Sequence, residues 1–147
     1  MGGTNFDGKD SRFVDFLFSS ETSKDALLIE LKTPVTKLLG PKYRGVYRPS
    51  GELAGAIVQI LDYRRQLGHD LDSINRNSQK DLRFFNPRCL VIVGNGTAEL
   101  NDEKKRTSFE VFRSGLRDVE ILTFDELFRK VTALARLFNL VVEHQPE

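Results

Sequence analysis

The stretch Ala26-Leu27-Leu28-Ile29-Glu30-Leu31-Lys32 sets the frame of this chain. Its apolar, partly β-branched run reads as a strand. Residues two apart on a strand share a face, so Glu30 and Lys32 stand side by side. Placing two ionisable groups on an apolar strand costs several kcal/mol unless they are paired or bind something. A second apolar run, Arg12-Phe13-Val14-Asp15-Phe16-Leu17-Phe18, lies just upstream and carries one carboxylate. An Asp on one strand and a Glu-x-Lys on the next make a metal site with a built-in cation.

Organisation follows from these two strands. Residues 12–18 and 26–32 are joined by a polar turn of hairpin length, and Pro34 ends the second strand. Residues 33–49, punctuated by Gly40, Pro41, Gly45 and Pro49, read as a loop. Ser50 is a good N-cap for a helix running to about Leu67, where Gly68 is expected to stop it. Its apolar arc is Leu53, Ile57, Ile60, Leu61 and Leu67. Beside that arc runs a stripe of Glu52, Ala56, Gln59 and Tyr63. Residues 68–88 are polar and read as a loop with about one helical turn. A buried strand follows at 89–94, and Gly94-Asn95-Gly96 turns the chain. Asn101 caps a helix to roughly Arg113, and residues 119–122 form a short strand. Thr123 and Glu126 have capping-box spacing for a helix from Phe124 to about Phe138. Leu127, Val131, Leu134 and Phe138 are its expected buried stripe. Strands first, then α/β alternation, predict an α/β (α+β) fold with a mixed sheet flanked by helices. Residues 1–11 read as a disordered or turn-rich lead, 12–142 as one domain and 143–147 as a tail.

The chain has 147 residues, 39% of them hydrophobic and 29% charged, the make-up of one soluble domain with a real core. A net charge of +1 gives no overall pull on a polyanion. Local charge does: between Leu31 and Gly51 there is no acidic residue, while Lys32, Lys37, Lys42, Arg44 and Arg48 all fall there. The single cysteine, Cys89, excludes an internal disulfide and opens an apolar run as a small core residue. No apolar stretch approaches spanning length, so no membrane partner is expected. His69 and His144 lack neighbours at zinc-ligand spacing. Gly94-Asn95-Gly96 lacks the third glycine of a dinucleotide site.

Phosphodiester hydrolysis needs a hard cation held by oxygens, with positions open for water and phosphate. Asp15 and Glu30 supply two carboxylates, and the Leu31 carbonyl adds a third oxygen. Lys32 is placed to orient the water and balance charge on the phosphate. Bare Glu-x-Lys is common and most often an ordinary surface ion pair. Asp15, the apolar flanks and the helix stripe favour a site.

Asp15 followed by Glu30-Leu31-Lys32 resembles the PD-(D/E)xK nuclease signature without its leading proline. Gln59-Ile60-Leu61-Asp62-Tyr63 resembles the Gln-x-x-x-Tyr element of RecB-like members. More narrowly, Asp15-Phe16-Leu17, Glu30-Leu31-Lys32-Thr33-Pro34 and Ala56-Ile57-Val58-Gln59 look like the nuclease domain of Shedu antiphage defence proteins, over roughly residues 12 to 138. The resemblance implies a restriction-endonuclease-like fold and a prokaryotic, cytoplasmic DNA endonuclease using Mg²⁺ or Mn²⁺. It implies a homo-oligomer, often with variable domains ahead of the nuclease. On this reading Asp15, Glu30 and Leu31 hold metal, and Asp15, Glu30, Lys32 and Gln59 are catalytic. Tyr63, Lys42, Arg44, Arg48 and Arg64 contact DNA. That fold normally opens with a helix, and here only eleven residues precede Arg12. A catalytically incomplete DNA-binding or assembly module is therefore one alternative. A RecB-like exonuclease or a resolvase is another.

Overall fold

The run at 26–31 is the second strand of a four-stranded mixed sheet in the computed structural model, which describes residues 15–19, 26–78 and 87–138. The sheet comprises β1 (Phe16–Ser19), β2 (Ala26–Leu31), β5 (Arg88–Ile92) and β6 (Val119–Leu122), in the order β1-β2-β5-β6. β1 runs antiparallel to β2, whereas β5 and β6 run parallel to it. Parallel neighbours need crossovers. Helix α1 (Gly51–Ser78) lies between β2 and β5, and α3 (Glu103–Ser114) between β5 and β6. The short α2 (Gly96–Glu99) precedes α3, and α4 (Phe124–Leu137) follows β6. The expected mixed sheet flanked by helices is the observed architecture.

Alternation fixes which face is core. Leu28 and Glu30 of β2, Cys89 and Val91 of β5 and Val119 and Ile121 of β6 are buried on one face. Leu53, Ala56, Ile57, Ile60 and Leu67 of α1 and Phe109 of α3 pack on them. Each fully buried Leu or Ile contributes roughly 1.5–3 kcal/mol. The register pairs Phe16 with Ile29 and Phe18 with Leu27 on the opposite face, where both phenylalanines stay exposed.

Several expectations are corrected. α1 does not stop at Gly68 but continues to Ser78, so much of 68–88 is helix. A glycine without positive φ only weakens a helix, by about 1 kcal/mol. The loop at 33–49 contains a hairpin, β3 (Leu39–Tyr43) and β4 (Val46–Pro49), as a separate two-stranded sheet. Arg44 (φ 45°) and Gly45 (φ 93°) make its turn, the backbone sense that suits a two-residue hairpin. Asp102, not Asn101, caps α3 by accepting from Lys105 N–H at 2.9 Å. The strand expected at 89–94 spans Arg88–Ile92. The stripe of α4 is not buried: Val131, Leu134 and Phe138 are exposed and Leu127 is half-buried. Helical period identifies an apolar face but not whether anything covers it. The expected lead at 1–11, residues 12–14 of the first strand, most of the turn after it and the tail at 143–147 lie outside the described residues.

Ser50 does cap α1, accepting from Leu53 N–H at 3.0 Å while donating to the Lys37 carbonyl at 2.6 Å. Cys89 is buried as expected. No helix among the described residues is long and apolar enough to cross a membrane.

Candidate active site

Glu30 and Lys32 stand together on the α1 side of the sheet, and Asp15 lies next to them at the end of the neighbouring strand. Phe16 pairs with Ile29, so one step further places Asp15 opposite Glu30. Opposed residues of an antiparallel pair share a face. Glu30 is only 3% exposed, because α1 covers its strand. Its Oε1 lies 2.6 Å from Lys32 Nζ. Its Oε2 is buried and has no hydrogen-bond partner among the described residues. Asp15 is exposed, and its Oδ2 accepts from the Leu31 N–H at 2.6 Å.

An open cleft of about 690 Å³ lies beside this pair. One wall is Leu31, Lys32, Thr33, Val35 and Thr36; the other is Glu52, Gly55, Ala56 and Gln59 of α1. The structure therefore brings Gln59 and Lys32 to one cleft. The lower wall is held firmly. Thr33 N–H donates to Thr36 Oγ1 at 3.2 Å, and Gly94 N–H donates to the Thr33 carbonyl at 3.0 Å. A Cβ on Gly94 (φ 61°) would lie 2.7 Å from both the Leu38 side chain and the Thr36 carbonyl. Only glycine fits that approach.

Tyr63 and Arg64 are placed elsewhere. Tyr63 is half-buried against the core, and burial followed by the nearby Asp70 charge raises its phenol pKa. It lies four residues beyond Gln59, about 6 Å further along the helix axis. Arg64 pairs with Asp118 at 3.5 Å, near the start of β6. Burial pushes the Cys89 thiol up; the Arg64 guanidinium opposes that shift and Asp118 adds to it. Lys42, Arg44 and Arg48 lie on the β3–β4 hairpin and are exposed. His69 is exposed as well.

Glu52 was visible in the helix stripe, yet nothing in the sequence marked it as a cleft residue. Thr33 and Thr36 carried no signal beyond their proximity to Lys32. Among the described residues no group of three or more His, Cys, Asp or Glu could hold a metal. Two carboxylates, a backbone carbonyl and retained waters are the donor set that suits Mg²⁺, which dehydrates reluctantly.

Another carboxylate, Asp125, links the helices that follow β5 and β6. Asp125 accepts from the Gly96 and Thr97 N–H groups at 2.8 and 3.2 Å and from the Thr97 hydroxyl at 2.8 Å. Burial alone would raise its pKa. The Thr97 hydroxyl and the Gly96 and Thr97 N–H groups outweigh burial and hold the carboxyl well below the usual range.

Comparison with known proteins agrees with the narrower resemblance, to Shedu proteins. The chain matches the family described as Shedu protein SduA, C-terminal, over residues 3–128. It is 40% identical over 146 residues to Shedu protein SduA of Bacillus cereus (strain B4264), covering 95% of this chain and 38% of that relative. It thus spans less than two-fifths of the curated relative's length. On a match covering most of its residues, the chain belongs to the Shedu SduA C-terminal family.

Proposed function

We propose that the chain is a metal-dependent DNA endonuclease domain of the PD-(D/E)xK type, acting in antiphage defence in the bacterial cytoplasm. The observation that carries this reading is Glu30. One carboxylate oxygen is taken by Lys32, and the other is buried without a partner among the described residues. A buried, unsatisfied carboxylate oxygen costs free energy that a bound cation would recover. Asp15, Glu30 and the Leu31 carbonyl would hold Mg²⁺ or Mn²⁺. When bound, the metal supplies polarisation of the phosphate and a lowered pKa for the attacking water. Lys32 orients that water and balances charge on the phosphate, and Gln59 steadies it from the opposite wall. Lys42, Arg44 and Arg48 contact the DNA backbone, which makes binding salt-dependent.

Replacing Glu30 or Lys32 with Ala should lower Mg²⁺-dependent nicking of supercoiled plasmid by about 10²-fold or more. Undiminished cutting by a folded variant sinks the assignment. One observation favours a non-catalytic, DNA-binding module instead: an Asp15 oxygen is already engaged by the Leu31 N–H. Calorimetric titration with Mn²⁺ separates the two, since that module shows no heat that depends on Asp15 and Glu30.

Self-association belongs to the same proposal. Phe128, Val131, Leu134, Leu137 and Phe138 form an exposed apolar stripe along α4 and its C-cap. Contiguous exposed apolar surface of this kind marks an interaction site.

A further inference from the structure

The β3–β4 hairpin presents its two faces differently. Tyr47 N–H donates to Ser108 Oγ of α3 at 3.0 Å, and Glu99 accepts from the Leu38 and Leu39 N–H groups at 2.8 and 3.0 Å. Those bonds fix the hairpin to the body of the protein. Tyr43 is paired with Val46, so both share a face with Arg48, two residues on. That face is open: Tyr43 is 51% and Val46 54% exposed. The Arg44 guanidinium lies 5.4 Å from the Tyr43 ring centroid and the Arg48 guanidinium 6.0 Å.

Arg44 also holds a left-handed backbone conformation (φ 45°). Asn or Gly would take it at lower cost. The sequence keeps a long cation at the tip of the turn all the same. No acidic residue occurs between Leu31 and Gly51, so the segment itself offers these guanidiniums no carboxylate. An exposed ring flanked by two cations is more than phosphate binding requires. In a duplex the base faces are stacked inside, out of reach of a tyrosine. Unpaired nucleotides offer both a planar face and a phosphate, and base–aromatic stacking with cationic support is how single strands are held.

We propose that the outward face of the hairpin, made by Tyr43, Val46, Arg44 and Arg48, binds unpaired DNA. Tyr43 stacks on a base while the two guanidiniums hold flanking phosphates. The proposal rests on the DNA reading above and deepens it, naming DNA with an unpaired segment as the preferred ligand. It makes no use of the metal site, so it is tested without metal.

Fluorescence anisotropy in EDTA would compare a labelled thymidine oligonucleotide with a duplex of equal length on the 147-residue chain. The wild type is expected to bind the single strand more tightly than the duplex. Tyr43→Ala should weaken single-strand binding by about tenfold or more and leave duplex binding nearly unchanged. Tyr43→Phe should retain the affinity, because the ring and not the hydroxyl is used. Arg48→Ala should weaken both ligands and flatten the salt dependence. No single-strand binding, unchanged affinity in Tyr43→Ala, or equal losses on both ligands overturns the proposal. Loss of cutting in a Glu30 variant with anisotropy unchanged supports both readings separately. Unimpaired cutting in that variant sinks only the catalytic one.

Discussion

Glu30 is an unfavourable residue by the standards of folding alone. Among the described residues its Oε2 is buried without a partner, and its one ion pair uses a lysine whose side chain is 31% exposed. Replacing a buried ion pair by neutral side chains is often neutral or stabilising, by about 1–4 kcal/mol, and removing one partner is costly when it strands the other charge in the interior. Lys32 can turn to solvent when its partner is removed. Glu30→Gln and Glu30→Met should therefore keep or raise the urea midpoint while abolishing cutting. A loss of several kcal/mol would mean that the pair is structural. Mn²⁺ should raise the melting temperature of the wild type and not of Glu30→Gln, because a ligand stabilises only the state that binds it. The Glu30–Lys32 pair was legible in the sequence because strand period is strict at two residues. Tyr63 lies on the same helix stripe as Gln59 but one turn further along, outside the residues that line the cleft, because a helix face extends beyond any one cleft.

At the scale of elements, the interior of α1 carries two glycines that its own packing does not demand. A Cβ at Gly55 or at Gly68 would meet nothing within 4 Å, and neither has a positive φ. Glycine inside a helix costs roughly 1 kcal/mol relative to alanine. Gly55 lines the cleft, however, and Gly68 does not. Both Gly→Ala variants should gain about 0.5–1 kcal/mol in urea unfolding. Only Gly55→Ala should also slow plasmid nicking, because its methyl group narrows the approach between Gln59 and Lys32. Equal activity in the two variants would show that the cleft needs no such room. These helices and strands were readable where their signals are local, as with the Ser50 cap, the Thr123–Glu126 capping box and the strand at 119–122. The β3–β4 hairpin was hidden because its outward face is solvent-exposed and its residues lack the apolar alternation of a half-buried strand.

At the scale of the whole molecule, Asp125 ties the start of α4 to the start of α2 through three donors. Its folded pKa lies below the unfolded carboxylate value of about 3.9. The folded state therefore binds fewer protons than the unfolded one in the acid range. Stability from this group is present above that value and is lost as pH falls through the folded pKa. Asp125→Asn should cost about 1.5–3 kcal/mol at pH 7. The difference from wild type should shrink steadily below about pH 4. A variant whose deficit is the same at pH 7 and pH 3 would show that the charge is unimportant.

The hairpin face and the α4 stripe differ in physical kind, and salt distinguishes them. The hairpin face is cationic, so its affinity for DNA should fall steeply with added salt as counterion release is lost. The α4 stripe is apolar, and contacts made by burying it are screened little. The helical period of α4 marks its apolar residues but not their exposure, because periodicity is local and burial is a property of the assembled chain. If the stripe is where copies of the protein meet, sedimentation velocity should give an assembly larger than a monomer with nearly the same size at low and high salt. Val131→Asp, which places a charge at the centre of the stripe, should shift that species to monomer. Since Val131 is already 53% exposed, the substitution should leave the unfolding midpoint of the monomer within about 0.5 kcal/mol of wild type. A monomeric wild type, or an assembly that dissolves with salt and ignores Val131→Asp, would assign the stripe another role.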